Sequence, residues 1–178
     1  MIIIITTNSE SLHDLEFVKP IEKIIKENKM KSVIIHYSKL KNSDIKKSSK
    51  IIITGTSLLD NNFLKNLRKF RFLKNYKKPV LGICAGHQII SIIFGAKIKK
   101  NTEIGYYFEN FEKNFLSLEG EHEVYHLHNN YTKLPKDFTS YTKSKIPQAI
   151  KHDSKDIYGV LFHPEVRNRK LIETFIKN

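Results

Sequence analysis

The chain opens on an unbroken apolar run, Ile2-Ile3-Ile4-Ile5, followed at once by the polar turn Thr6-Thr7-Asn8-Ser9. A strand with one wet face alternates apolar and polar residues, so a run without alternation predicts a central strand covered on both sides. Over residues 15–27 the pattern changes period: Leu15, Val18, Ile21, Ile24 and Ile25 recur every three or four positions and build one face of a helix. Ser32–His36 and Lys50–Ile53 read as the second and third strands. Between positions 60 and 76, Phe63, Leu64, Leu67, Phe70 and Leu73 mark a further helix. Val80, Leu81 and Ile83 then form a buried fourth strand, and residues 88–94 a buried helix closed by Gly95.

Strands alternating with helices over the first 95 residues predict a parallel sheet with helices on both faces. Ligands of such sheets bind at the carboxyl ends of the strands. Two strand ends are therefore of interest, the turn Thr54-Gly55-Thr56-Ser57 and the turn at Cys84. The later half of the chain has another texture. Residues 96–99, 105–108, 123–127, 138–141 and 148–151 are short β-leaning stretches between polar turns, which predicts a small antiparallel or mixed extension beside the parallel core. A strong last strand over 157–162 runs into His163-Pro164-Glu165, and a closing helix over 167–177 turns Leu171, Ile172 and Phe175 inward.

Composition narrows the class. At 178 residues with 40% hydrophobic side chains, the chain is expected to form one globular domain over its whole length, 1–178. A single cysteine allows no internal disulfide, and the apolar start is too short for a signal peptide or membrane span, so a cytoplasmic protein without a membrane partner is expected. The formal charge of +13 would suit a nucleic-acid partner. Its distribution argues against one: lysines are scattered in pairs, arginines are few, and no nucleic-acid-binding motif interleaves them.

Cys84 stands where the fourth strand ends and a helix begins, between Gly82 and Gly86. A side chain at such a tight strand-to-helix turn faces outward at the sheet edge, small neighbours let backbone N–H groups approach a ligand, and the helix amino terminus favours the thiolate. A lone cysteine is otherwise a small buried hydrophobe, and on this stretch alone both readings stand. The end of the last strand alters the balance. Pro164 stops the ladder there, freeing His163 and Glu165 to turn toward the same edge as Cys84. Thiol, imidazole and carboxylate in that order supply a nucleophile, its base and the base's orienter. The eight histidines show no metal-ligand spacing beyond this set, so no metal site is expected.

Gly82-Ile83-Cys84-Ala85-Gly86-His87-Gln88, together with residues 158–166 (Tyr-Gly-Val-Leu-Phe-His-Pro-Glu-Val), resembles the two signature segments of the class I, triad-type glutamine amidotransferases. Within that family the likeness is greatest to the stand-alone glutamine-hydrolysing subunits of GMP synthases, and it runs over nearly the whole chain. The resemblance implies a flavodoxin-like, three-layer α/β fold with a mostly parallel central sheet. It implies hydrolysis of glutamine through a γ-glutamyl thioester, with Cys84, His163 and Glu165 as the triad and the N–H groups of Ala85 and the Gly55 turn as oxyanion donors. Gln88, His128 and Asn129 would contact the substrate. The ammonia would pass to a separate ATP-dependent synthetase subunit, that of GMP synthase for GMP made from XMP, and ATP and Mg²⁺ would be needed on that partner only, with no cofactor on this chain. One departure stands out: the family's Gly-Gly-Pro type turn is replaced by Thr54-Gly55-Thr56-Ser57. A Cys-His hydrolase or peptidase acting without a synthetase, and a silent regulatory subunit of the same fold, are the alternatives.

Overall fold

The computed structural model describes residues 1–178. β1 (Ile2–Thr6) lies between β2 (Ser32–His36) and β3 (Lys50–Ile53), parallel to both. Its isoleucines explain themselves at once: Ile2 and Ile4 enter the apolar cluster on one sheet face, Ile3 and Ile5 that on the other. All four are at most 1% exposed, which at about 1.5–3 kcal/mol per buried side chain makes β1 the keel of the sheet. β4 (Val80–Ile83) pairs with β3, and β9 (Ile157–Val160) pairs with β4, again in parallel. β8 (Ala149–His152) and β7 (Phe138–Ser140) finish that edge antiparallel, giving the order β2-β1-β3-β4-β9-β8-β7.

The helices cover the two faces. α1 (Asp14–Phe17) and α2 (Lys19–Glu27) replace the single helix expected over 15–27. Pro20 offers no N–H to a continuing helix, and Val18 at φ −117° takes the break. The change of phase leaves Leu15 64% exposed and turns Phe17 inward instead. α3 (Asn42–Lys47) bridges β2 and β3. Residues Asn62–Lys74, expected as an α-helix, wind as 3-10 turns interrupted at Asn66, whose side-chain amide donates to the Asn62 carbonyl at 3.1 Å and competes with regular helical bonding. Phe63, Phe70 and Leu73 are nonetheless buried as expected. α4 (Ala85–Ile93) follows β4, and α5 (Arg169–Lys177) closes the chain, burying Leu171, Ile172 and Phe175.

The chief departure from expectation is the region after Gly95. In place of several short segments, β5 (Ile98–Phe115) and β6 (Leu118–Thr132) form one long antiparallel hairpin outside the main sheet. Its far end is anchored by Phe111, Phe115, Leu118 and Val124, which share a buried cluster with Leu81, Phe162 and Ile172. Alternating polar residues along both strands disguised its length. Anchored in this way, the hairpin carries β6 across the carboxyl edge of the sheet, where the Tyr125 carbonyl accepts from the His163 N–H at 2.8 Å.

Candidate active site

The register of β4 against β9 brings two remote segments together. Ile83 is paired with Val160, and the Cys84 N–H donates to the Val160 carbonyl at 2.8 Å. Cys84 and His163 thus leave neighbouring parallel strands at the same edge. At Cys84 the backbone turns sharply into α4 with φ 48° and ψ −101°, a left-handed conformation that costs a non-glycine residue about 1–3 kcal/mol. Close packing enforces it. A Cβ on Gly82 would lie 2.5 Å from the Gly86 carbonyl carbon, and one on Gly86 would strike the Ile53 carbonyl, so the two glycines let α4 start directly against β3 and β4.

His163 Nδ1–H donates to Glu165 Oε1 at 2.8 Å, and both side chains are 1% exposed. The other ring nitrogen, Nε2, has no further hydrogen-bond partner and lies on the Cys84 side. Burial opposes a charge on this ring, but the Glu165 carboxylate and Cys84 outweigh it and raise His163 well above its usual value of 6.5. Phe17 of α1 packs 5.4 Å from the His163 ring and Tyr125 6.4 Å, walls that the sequence patterns did not identify. Cys84 Sγ lies 3.6 Å from the Leu127 carbonyl of β6.

Gly55 sits against both reactive side chains. A Cβ there would come 2.5 Å from His163 Cε1 and 3.3 Å from Cys84 Cβ, so no other residue fits without moving the pair. Its carbonyl accepts from the Thr7 and Thr54 hydroxyls at 3.1 and 3.0 Å, which pins the orientation of the Gly55–Thr56 peptide. Asp60 braces the same loop, accepting from Ser9 N–H, Ser9 Oγ, Thr56 Oγ1 and Asn62 N–H at 2.6–3.2 Å. Although burial works against it, these bonds hold the Asp60 carboxyl below its ordinary value. Thr54 and Thr56 flank Gly55 in the turn expected to depart from a Gly-Gly-Pro type. Ala85, the other expected donor, is the first residue of α4, where N–H groups have no intrahelical acceptor.

Beside Cys84 opens a narrow cleft, lined among others by Thr56, Asp60, Ala85, Gln88, Leu127 and His128. Gln88 reaches it from α4 and donates to the Asn130 carbonyl at 2.9 Å. Asn129 lines it as well, but its amide donates to the Leu58 carbonyl at 3.2 Å and accepts from Thr102 at 3.1 Å, so it closes the rim. His128 turns its Nε2 to Glu103 at 3.0 Å. His87 lies outside the pocket, wholly buried near Thr132 and Gly159, where desolvation lowers it to about 3 and keeps it neutral. No metal-ligating set was expected from histidine spacing, yet the structure gathers donor atoms of Glu103, His126 and His128 within 4.8 Å. Linear spacing misses such a set because one member comes from the facing strand.

Comparison with known proteins agrees with the fold. The glutamine amidotransferase class-I family model matches residues 11–178. A Methanobrevibacter smithii protein named as a subunit of glutamine-hydrolyzing GMP synthase is 35% identical over 115 residues, 60% of this chain and 60% of that protein's length. Its Pyrococcus abyssi namesake is 34% identical over 141 residues, 73% of each chain. Among solved structures, a candidate GMP synthase subunit from Thermoplasma acidophilum superposes with a TM-score of 0.87 at 24% identity, over 99% of this chain and 92% of that one.

Proposed function

The chain belongs to the class-I glutamine amidotransferase family, and from that premise we propose that it hydrolyses glutamine to glutamate and ammonia for a separate synthetase subunit. The observation that carries the reading is the strained Cys84 turn set beside a buried imidazole whose far nitrogen is held by a carboxylate at 2.8 Å. His163 Nε2 takes the thiol proton as Cys84 Sγ attacks the side-chain amide carbon of glutamine. The resulting oxyanion is received by the Ala85 N–H at the head of α4 and an N–H of the Gly55 turn. As the intermediate collapses, the imidazolium protonates the leaving nitrogen and ammonia departs, leaving the γ-glutamyl thioester. Water then gives its proton to His163 and adds to the thioester, releasing glutamate and restoring the thiol. Glu165 keeps the proton on Nδ1 throughout and stabilises the imidazolium. Gln88, His128 and Asn129 face or border the space that the substrate would fill.

The relatives named as GMP synthase subunits support a GMP synthetase as the acceptor. ATP and Mg²⁺ required on that partner, and a cytoplasmic reaction, belong to the same proposal. Ammonia release from glutamine, measured with and without that synthetase, tests the assignment. The expected result is glutaminase activity with the complex, and in Cys84→Ala the loss of glutamine-dependent GMP formation with ammonia-dependent formation retained. Hydrolysis unaffected by Cys84→Ala overturns the mechanism; full activity indifferent to any synthetase favours a free-standing hydrolase.

A further inference from the structure

The hairpin register assembles a second set of functional groups at the wall of the pocket. Glu103 on β5 is directly opposite His128 on β6, and His126, two residues earlier, projects from the same strand face. The residue opposite His126 is Gly105, so no β5 side chain crowds the space before it. Glu103 Oε2 lies 3.0 Å from His128 Nε2 and 3.5 Å from His126 Nδ1, while the two nitrogens are 3.2 Å apart. In tetrahedral zinc sites with bonds of about 2.0–2.1 Å, ligand atoms stand about 3.3–3.4 Å from one another. The triangle of donor atoms has the dimensions of one face of that tetrahedron.

Both ring nitrogens of His126 face a carboxylate. Its Nδ1 faces Glu103, and its Nε2 faces Glu109 Oε1 at 3.7 Å. A neutral imidazole carries one N–H, so one of these nitrogens presents a lone pair, and Nδ1 also stands 3.2 Å from His128 Nε2. His126 Nε2 and His128 Nδ1 are moreover buried without a hydrogen-bond partner. A cation inside the triangle would take up that lone pair: His126 keeps its proton on Nε2, toward Glu109, and turns Nδ1 to the ion. A carboxylate behind a ligating imidazole is the usual outer support of such sites. Gln148 Nε2 adds another, donating to Glu103 Oε2 at 2.9 Å. Glu103 is one-fifth exposed and gives the ion a way in.

We propose that Glu103 Oε2, His126 Nδ1 and His128 Nε2 bind a divalent transition-metal ion of the zinc class, with water completing the shell. Two imidazoles select such ions over Mg²⁺ or Ca²⁺, which prefer oxygen ligands. The ion ties β5 to β6 next to Leu127, whose carbonyl meets Cys84 Sγ, so its effect is to fix the pocket wall.

The test is a titration of Co²⁺, then Zn²⁺, into metal-stripped protein carrying Cys84→Ala, which removes the thiol as a rival ligand. One equivalent of Co²⁺ with the intense visible absorption of tetrahedral coordination is expected, displaced by Zn²⁺, accompanied by a higher melting temperature and unmatched by Mg²⁺. Glu103→Gln, nearly isosteric, and His126→Leu should each weaken binding at least tenfold, with unchanged circular dichroism marking the variants as folded. Absence of stoichiometric binding, or equal affinity in folded Glu103→Gln, overturns the proposal.

Discussion

His163 is held, almost wholly buried, between Glu165 and Cys84, and this single residue sets both a pH dependence and a rate. Its folded value is raised above the ordinary histidine value, so the stabilisation it contributes is fully present below about pH 6.5 and is lost as pH rises through the raised value. Glu165→Gln removes the main source of that elevation. Urea midpoints of the parent and Glu165→Gln should therefore differ most near pH 6 and converge as pH increases; a constant gap would contradict the assigned sign. The same substitution should lower glutamine turnover by about 10²–10⁴-fold, since the base loses both its tautomer and its countercharge. Gly55→Ala puts a methyl group 2.5 Å from His163 Cε1. Steady-state kinetics should show a fall in kcat of at least about 10²-fold, the scale of one lost oxyanion donor, with KM less affected.

Among the elements, the β4–α4 turn depends on glycine for space. Gly86→Ala would drive a side chain into the backbone of β3 and should cost at least about 1–3 kcal/mol, read as a lower denaturation midpoint in urea. Elements whose periods are carried by apolar residues were legible in the chain: β1 from four isoleucines, α5 from Leu171, Ile172 and Phe175, and β4 with its cysteine turn. What escaped had a local physical cause. Pro20 broke one helix into two, Asn66 bonded back to its own backbone and tightened another, and the β5–β6 hairpin hid behind polar residues on its wet face. Cys84, His163 and Glu165 stand side by side as their motifs implied. Phe17, Thr7, Asp60 and the Glu103–His126–His128 cluster did not show, because each reaches the site from an element whose placement only the packed sheet determines.

For the whole molecule, the sheet acts as a frame that delivers remote segments to one edge: β3 brings Gly55, β4 brings Cys84, β9 brings His163 and Glu165, and the hairpin supplies the outer wall. The 31 basic residues are spread along the chain, with one adjacent pair, Lys99-Lys100, on the hairpin. Under the proposed function, ammonia made at this edge passes to an acceptor enzyme that closes over it. Sedimentation of the mixed proteins should accordingly show a complex with the GMP synthetase, and glutamine-dependent synthesis should exceed that sustained by the ammonia free in solution. The most direct measurement is covalent trapping of the nucleophile. A glutamine analogue with an electrophilic ketone in place of the amide, followed by peptide mass spectrometry, is predicted to modify Cys84 alone, with excess glutamine protecting it and the Glu165→Gln variant reacting more slowly. An unmodified Cys84 after incubation with the analogue and the synthetase together would contradict the assignment.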